Sequence, residues 1–144
     1  MKILILAIGK PKLPYAAEGV QEYSRRLRHY SPVNLEYLKA GASISSLLAR
    51  SEGSYRIALD ERGGQLDTLS FSERITRLET HPRFKKITFL VGGADGHPAG
   101  LREACDEIWS LSSLTMQHEL ALVVLLEQLY RVFTIKRGEP YHRQ

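Results

Sequence analysis

The residues that could do chemistry lie mostly in the last third of the chain, from Lys85 to Gln144. A glycine-rich loop, Gly92 to Gly96, follows one apolar run, and a loop of small residues, Ser112 to Gln117, follows another. Open α/β sheets bind ligands in loops just beyond strand ends, and glycine lets the backbone approach a ligand closely. A tight strand-to-helix turn explains the glycines equally well, so the loop alone leaves both interpretations open.

Residue spacing argues against several familiar kinds of site. The sequence Gly92-Gly93-x-x-Gly96 matches neither the dinucleotide fingerprint G-x-G-x-x-G nor a P-loop. The five histidines are scattered, with no pair at metal-ligand spacing on a helix, so we predict no metal site. Ser110, Ser112 and Ser113 lack a G-x-S-x-G context, which argues against a serine hydrolase.

The C-terminal helix, predicted from His118 to Ile135, is apolar all round between Leu120 and Leu126. Such a helix must be buried on more than one face, and a sheet covers only one of them, so we predict a homodimer. Glu127 and Arg131 are spaced to pair on this helix. The pair is either a surface ion pair of little energetic value or a device that positions Arg131 at the edge of a site.

The tail from Lys136 to Arg143 mixes cations with Tyr141, and such a mixture can hold phosphates and stack on a base. Chain ends are commonly frayed, so a solvated end is the alternative interpretation. The net charge of +4 tilts the whole chain towards polyanions, although only modestly. Basic character alone therefore indicates nucleic acid as one candidate partner among others.

Length and composition predict one soluble domain. The chain has 144 residues, of which 43% are hydrophobic and 25% charged. The single cysteine, Cys105, excludes an internal disulfide or a cysteine-pair zinc site, and it fits a reducing cytosol. The longest wholly apolar run, Leu120 to Leu126, is far shorter than the roughly 20 residues of a membrane span. We therefore expect a cytoplasmic protein that does not enter a membrane.

The elements that must position these loops alternate between strands and helices, which predicts an α/β domain with a mainly parallel sheet flanked by helices. The predicted strands are Lys2–Ile8, Val33–Leu38, Tyr55–Leu59, Ile87–Val91 and Ile108–Leu111. The predicted helices are Ala16–Tyr30, Ala42–Ser51 with Ser43 as its cap, a helix capped by Ser70 or Ser72 and running to Thr80, Leu101–Glu107, and His118–Ile135. Residues 60–64 are predicted to form a turn because they end in two glycines.

A set of short motifs spread over the whole length resembles a known family. The motifs are Ile8-Gly9-Lys10, Glu22-Tyr23, Arg26-Leu27, Leu59-Asp60 with Gly63, Leu90 to Gly96, Trp109 to Thr115, His118, Glu127 to Arg131, and Pro140-Tyr141-His142-Arg143. On these residues the chain resembles the ribosomal large subunit methyltransferase H family of the SPOUT superfamily. The resemblance implies an α/β fold whose C-terminal part forms a trefoil knot. It also implies a homodimer in which one subunit's tail completes the other's site.

The resemblance also implies a cofactor and its site. The cofactor is S-adenosyl-L-methionine, held by Leu59, Gly92, Gly93, Leu111, Ser112, Ser113, Leu114, Thr115, Met116 and Gln117. Its adenine needs an apolar slot, and leucine and methionine side chains of the loop can supply one. Leu122 departs from the family pattern, since an arginine is expected there, so one charged contact near the site or the interface is in doubt.

The reaction implied is methyl transfer to N3 of pseudouridine 1915 in helix 69 of 23S rRNA, on the assembled 70S ribosome. The N3 proton must leave, so His118 and His142 are candidate bases, whereas Arg131 and Tyr141 are candidate contacts for a phosphate and for the flipped base. A catalytically silent RNA-binding or ribosome-binding dimer is one alternative. A SPOUT methyltransferase with another RNA target is a second.

Overall fold

The structure is a computed structural model that describes residues 1–30 and 33–143. In these residues a five-stranded parallel sheet forms the centre of the molecule. The strands are β1 (Lys2–Ile8), β2 (Val33–Leu38), β3 (Tyr55–Gln65), β4 (Lys86–Val91) and β5 (Glu107–Ser110). Their order across the sheet is β2-β1-β4-β3-β5, and every pairing is parallel. The predicted α/β class with a parallel sheet is therefore confirmed. All carboxyl ends of the strands lie at one edge.

Among the described residues, five helices cover the two faces of this sheet unequally. They are α1 (Pro14–Leu27), α2 (Ile44–Arg50), α3 (Thr68–Glu79), α4 (Leu101–Ala104) and α5 (His118–Lys136). One face carries α1, α3 and α5 over a large apolar core that includes the fully buried Ile5 and Phe89. The short helices α2 and α4 cover the other face over a smaller core around Leu6 and Leu90. Most of the burial therefore lies on the face of α5, which packs between α1 and α3.

Local sequence signals explain several element boundaries. Pro14 occupies the first turn of α1, where its missing N–H costs no hydrogen bond. The predicted cap of α2 is confirmed, because the Ser43 hydroxyl accepts a hydrogen bond from the Ser46 backbone N–H at 3.2 Å. α5 begins at His118 as predicted and runs one residue further than Ile135. α1 ends at Leu27, three residues before the predicted end.

The turn predicted at residues 60–64 is wrong. β3 continues to Gln65, with a shift of register against β5 between Leu59 and Gly64. Gly63 serves close packing here rather than a chain reversal, since a Cβ at this position would lie 2.6 Å from the Ile108 carbonyl oxygen. The irregular segment begins just after Leu59, where β3 stops pairing with β4, and it changes the direction of the chain there.

Two helix predictions also need correction. Neither Ser70 nor Ser72 caps α3; Asp67 does, accepting a hydrogen bond from the Ser70 backbone N–H at 2.8 Å. This bond holds the pKa of the Asp67 carboxyl below its usual range. The helix predicted from Leu101 to Glu107 ends at Ala104. It stops early because Asp106 exchanges two hydrogen bonds with the Arg56 backbone, at 2.8 and 2.9 Å, which leads the chain into β5.

Candidate active site

A cavity of about 430 Å³ opens at the carboxyl ends of β4 and β5, beside the irregular segment of β3. Parallel strands direct their carboxyl-terminal loops to one edge, which explains why distant segments meet there. The lining residues are Leu59, Asp60, Glu61, Arg62, Val91, Gly92, Gly93, Ala94, Gly96, His97, Leu111, Ser112, Leu114, Thr115, Met116, His118 and Ala121. The cavity therefore combines the irregular segment of β3, the loops after β4 and β5, and the first turn of α5.

Glycine backbone forms one wall of this cavity, directly after β4. A Cβ added to Gly93 would lie 3.0 Å from Ile8 Cγ2, and one added to Gly92 would lie 3.0 Å from the Gly96 carbonyl carbon. Both contacts are tighter than ordinary packing allows, so larger residues would have to displace their neighbours. The wall is left with backbone N–H and C=O groups near its surface, which suits a ligand that needs hydrogen bonds from the main chain.

The opposite wall is the loop that follows β5. The Ser110 hydroxyl donates to the Ser112 carbonyl at 2.7 Å, and the Ser112 hydroxyl accepts from the Leu114 N–H at 3.0 Å. The Thr115 hydroxyl donates to Glu61 at 2.6 Å, which joins this loop to the end of β3. Leu114 is 74% exposed even though it lines the cavity. A large exposed apolar side chain at a cavity mouth provides area that a bound ligand can cover.

Charged residues form the rim beside β3. Asp60 pairs with Arg62, with Nε and Oδ1 3.1 Å apart, and Arg102 approaches the same carboxylate at 3.7 Å. The hydrogen bond from Arg62 is the main reason why the pKa of Asp60 lies below its usual range. His97 Nε2 donates to the Leu59 carbonyl at 2.8 Å. The rim thus offers both signs of charge next to an apolar wall.

The first turn of α5 brings His118 to the cavity. The Gln117 side chain caps the helix, accepting hydrogen bonds from the N–H groups of Glu119 and Leu120 at 2.9 and 3.0 Å. Glu119 is only 8% exposed and accepts from two N–H groups of the loop after β1. His118 Nε2 lies 3.8 Å from the Glu119 carboxylate. The position of this histidine is therefore set by both a cap and a buried anchor.

A second group of polar residues, here called the tail cluster, consists of Glu127, Arg131, Tyr141 and His142. Glu127 Oε1 accepts from Arg131 Nε at 3.0 Å and from the Tyr141 hydroxyl at 3.1 Å. Arg131 Nη1 donates to His142 Nδ1 at 3.1 Å. Burial, together with a hydrogen bond to Tyr23, raises the pKa of Tyr141 above its ordinary value. The tail therefore packs on α5 and is not frayed.

The tail cluster and the cavity lie apart within one chain. His118 and Arg131 lie thirteen positions apart on α5, which at a rise of ~1.5 Å per residue is about 20 Å. Of the ten residues predicted to hold the cofactor, the structure brings eight to the cavity, with His118 beside them. Ser113 and Gln117 do not line it: Ser113 is exposed outside the cavity, and the Gln117 side chain serves as the cap of α5. Arg131, Tyr141 and His142 are likewise absent from its walls.

Residues of the cavity that the sequence reasoning missed are Asp60, Glu61, Arg62, His97 and Ala121. The sequence predicts a turn for Asp60, Glu61 and Arg62, and only the irregularity within β3 directs them to the site. A charged triplet just before two glycines at a strand end was the available signal. Leu122, the departure from the family pattern, is 2% exposed in the main core, so the residue at this position makes no charged contact.

The described part of the chain also bears on other kinds of function. No group of three or more histidine, cysteine, aspartate or glutamate side chains in residues 1–30 and 33–143 is arranged to hold a metal ion. Over the same residues, no helix combines the length and the apolar character that crossing a bilayer requires.

Comparisons with known proteins fit this geometry. A family model described as "Predicted SPOUT methyltransferase" matches residues 1–142. The Ribosomal RNA large subunit methyltransferase H of Thermus thermophilus is 48% identical over 143 residues, covering 99% of each chain. The protein of the same name from Deinococcus radiodurans is 39% identical over 146 residues, again covering 99% of each.

A solved structure extends the comparison to the fold alone. The tRNA (m1G37) methyltransferase from Aquifex aeolicus superposes with a TM-score of 0.58 at 11% identity. The match covers 100% of this chain and 76% of that one. At this level of identity the likeness concerns the arrangement of strands and helices, and it places the whole chain within one shared architecture.

Proposed function

The chain belongs to the SPOUT methyltransferase family, and from this premise we propose that it methylates N3 of a pseudouridine in helix 69 of 23S rRNA. The proposed methyl donor is S-adenosyl-L-methionine. The observation that carries the proposal is the cavity at the carboxyl ends of β4 and β5, where glycine backbone faces an apolar loop. The names of the similar proteins, which act on ribosomal RNA, support the choice of substrate class.

The residues at the cavity suit this donor. Its volume of about 430 Å³ falls within the usual range for small-molecule sites. Leu111, Leu114 and Met116 would form an apolar slot for the adenine, with hydrogen bonds supplied by the adjacent backbone. Glu61 and Arg62 on the rim offer charges of both signs for the ammonium and carboxylate of the methionine part. When bound, the donor supplies an electrophilic methyl group.

Proton removal from N3 requires an acceptor in the same place. His118 lines the cavity, so it is the side chain that we assign to this role, directly or through a water molecule. Transfer then forms the bond between N3 and the methyl carbon as the bond between that carbon and sulfur breaks. His118 is held for this task by the cap and the buried carboxylate that define the first turn of α5.

A second subunit is part of the proposal. The tail cluster lies about 20 Å along α5 from the cavity, so its own chain does not deliver it there. Apolar side chains remain exposed around the start of α5: Leu13 at 37%, Tyr15 at 52% and Leu120 at 36%. We propose that these surfaces meet in a homodimer, in which the tail cluster of one subunit completes the cavity of the other. Threading of the C-terminal part into a trefoil knot remains a prediction.

The assembled ribosome is the proposed form of the substrate. A net charge of +4 gives this chain only weak electrostatic attraction to free RNA. The assembled ribosome presents a large preformed surface that can supply additional contacts. Residues of the tail cluster would then contact the target nucleotide, with Arg131 directed to a phosphate and Tyr141 stacked on the base. The protein would act in the cytoplasm, where ribosomes are.

The test is transfer of labelled methyl from S-adenosyl-L-methionine to ribosomes that lack the modification, with and without the target pseudouridine. Label in helix 69 only when pseudouridine is present is the expected result. Label elsewhere in RNA would favour a SPOUT enzyme with another target. Donor binding without label in any RNA, from a folded dimer, would favour a catalytically silent ribosome-binding protein. Equal labelling of free 23S rRNA would contradict the proposed need for the ribosome.

A further inference from the structure

One carboxylate holds the tail cluster together. Glu127 Oε1 accepts from both Nε and Nη2 of Arg131, at 3.0 and 2.5 Å, and from the Tyr141 hydroxyl. The Arg131 guanidinium carbon lies 4.7 Å from the centroid of the Tyr141 ring. The second oxygen of Glu127 accepts from Gln128, whose own side chain is bonded to Thr68 of α3. The cluster is therefore fixed through α5 to a neighbouring helix.

The orientation of Arg131 determines the chemical form of His142. Arg131 Nη1 lies 3.1 Å from His142 Nδ1. A guanidinium carries only donors, so Nδ1 must accept this hydrogen bond. A neutral imidazole that accepts at Nδ1 carries its hydrogen on Nε2. In this arrangement His142 is a hydrogen-bond donor at Nε2, and it has no lone pair there with which to take a proton.

The donor at Nε2 is left without a partner. His142 Nε2 is buried and has no acceptor among residues 1–30 and 33–143. Buried N–H groups are nearly always paired, because an unpaired one loses its hydrogen bonds to water and gains none in return. An acceptor supplied by a binding partner would remove this cost, and the tail would have to shift to admit it.

We infer that Glu127, acting through Arg131, is a positioning residue that fixes His142 as a hydrogen-bond donor to a carbonyl oxygen of the target base. The inference rests on the proposed function. When the N3 proton leaves, negative charge spreads to the carbonyl oxygens on either side of N3. A donor aimed at one of them stabilises that charge. The proton itself goes to another acceptor, His118 or water. In this proposal His142 is therefore a hydrogen-bond donor and not the base.

The tautomer is tested directly by nitrogen-15 NMR of the imidazole groups in the full chain near pH 8. The chain has five histidines, so the His142 signals are assigned by their loss in His142→Gln. The expected pattern shows a protonated Nε2 and an unprotonated Nδ1. In Glu127→Gln the pattern should shift towards a mixture of the two tautomers. Glu36→Gln is the matched control, since it removes the Glu36–Arg50 pair of 2.9 Å, which involves β2 and α2 and no residue of the tail cluster.

The role is tested by methyl transfer with two variants of His142. Glutamine can place an amide N–H near the position of Nε2 but cannot act as a base. For a donor, we expect His142→Gln to keep activity within about tenfold of the parent and His142→Ala to lose about a hundredfold. For a base, both variants would fall equally, by about 10²- to 10⁴-fold. Equal loss, equal retention or a protonated Nδ1 in the parent would each overturn the inference.

The outcome is separable from that of the proposed function. The NMR pattern needs no substrate, so it reports on the inference even if ribosomes accept no methyl group. Glu127→Gln should lower the rate of transfer at saturating donor while leaving the Kd for S-adenosyl-L-methionine within about twofold, since the tail cluster is proposed to contact the target nucleotide and the loop after β5 the donor. A changed donor Kd with an unchanged rate would contradict positioning of the tail.

Discussion

Glu119 on α5 accepts a hydrogen bond from the backbone N–H of Lys12 at 2.7 Å, although 107 positions of sequence separate the two residues. The same carboxylate oxygen accepts from the Leu13 N–H at 2.9 Å. This nearly buried anchor fastens the loop after β1 to the helix turn that presents His118. A negative side chain in the first turn of a helix is also favoured by the helix dipole.

Substituting Glu119 should therefore destabilise the protein in a graded way. Glu119→Ala leaves two N–H groups without their acceptor, and we expect a loss of about 2–4 kcal/mol in the free energy of unfolding. Glu119→Gln keeps an acceptor oxygen in place and should cost about 1 kcal/mol. Urea unfolding followed by circular dichroism measures both. Equal losses in the two variants would show that charge, not the acceptor, is what stabilises the loop.

The two adjacent glycines late in β3 should differ sharply in their tolerance of alanine. A Cβ on Gly63 would lie 2.6 Å from the Ile108 carbonyl oxygen, whereas the same contact at Gly64 would be 4.0 Å. We expect Gly63→Ala to destabilise the fold by about 1–3 kcal/mol through forced separation of β3 and β5. Gly64→Ala is the matched control and should stay within about 0.5 kcal/mol. Similar midpoints of urea unfolding for both variants would contradict the close approach.

Sequence patterns predicted the buried strands better than the segments that follow them. Runs such as Lys2–Ile8 are apolar because parallel strands are buried on both faces, and such a run can be read without knowing its neighbours. The segment from Asp60 to Gly64 could not be read this way. Its glycines are typical of a turn, and only the approach of the Ile108 carbonyl, a residue more than forty positions away, explains them as strand.

The candidate site likewise contains residues that the sequence predicts and residues that it does not. The place of Gly92 and Gly93 after a strand allows either a ligand site or a plain turn, and the family resemblance favours the ligand site; the structure puts both residues at the cavity wall. The anchoring role of Glu119 could not be predicted from the sequence, because a single carboxylate at the start of a helix is common. Its partners are backbone groups at the opposite end of the chain. Such contacts depend on topology and leave no local pattern.

Leu114 should contribute to donor binding without contributing to stability. It is 74% exposed at the cavity mouth, so truncation removes little buried area from the free protein. If the donor covers this side chain, Leu114→Ala should raise the Kd for S-adenosyl-L-methionine about tenfold, as measured by calorimetry. Leu69→Ala is the control, because Leu69 is 40% exposed and does not line the cavity. An unchanged Kd for Leu114→Ala would place the adenine elsewhere.

Cys105 should react slowly with alkylating reagents at neutral pH. Burial raises the pKa of its thiol to about 11, so the thiolate is scarce. The alkylation rate of the folded protein should keep rising up to about pH 11, whereas the urea-unfolded chain should level off above its ordinary pKa of about 8.5.

The sign of the linked effect on stability follows from the raised pKa of the thiol. Folding favours the protonated form, so this contribution to stability is complete below about pH 8.5 and is lost as the pH rises through about 11. Cys105→Ser supplies the control, since it should flatten that part of the curve of unfolding free energy against pH. Rapid alkylation of the folded protein at pH 7 would contradict the raised pKa.

The length of α5 has a consequence for inheritance as well as for chemistry. The helix holds the donor cavity at one end and the tail cluster near the other, so a shared site would draw one half from each copy of the chain. A gene damaged in the cavity and a gene damaged in the tail would then each encode an inactive protein. Expressed together, the two alleles would complement one another, because a mixed pair contains one intact cavity facing one intact tail.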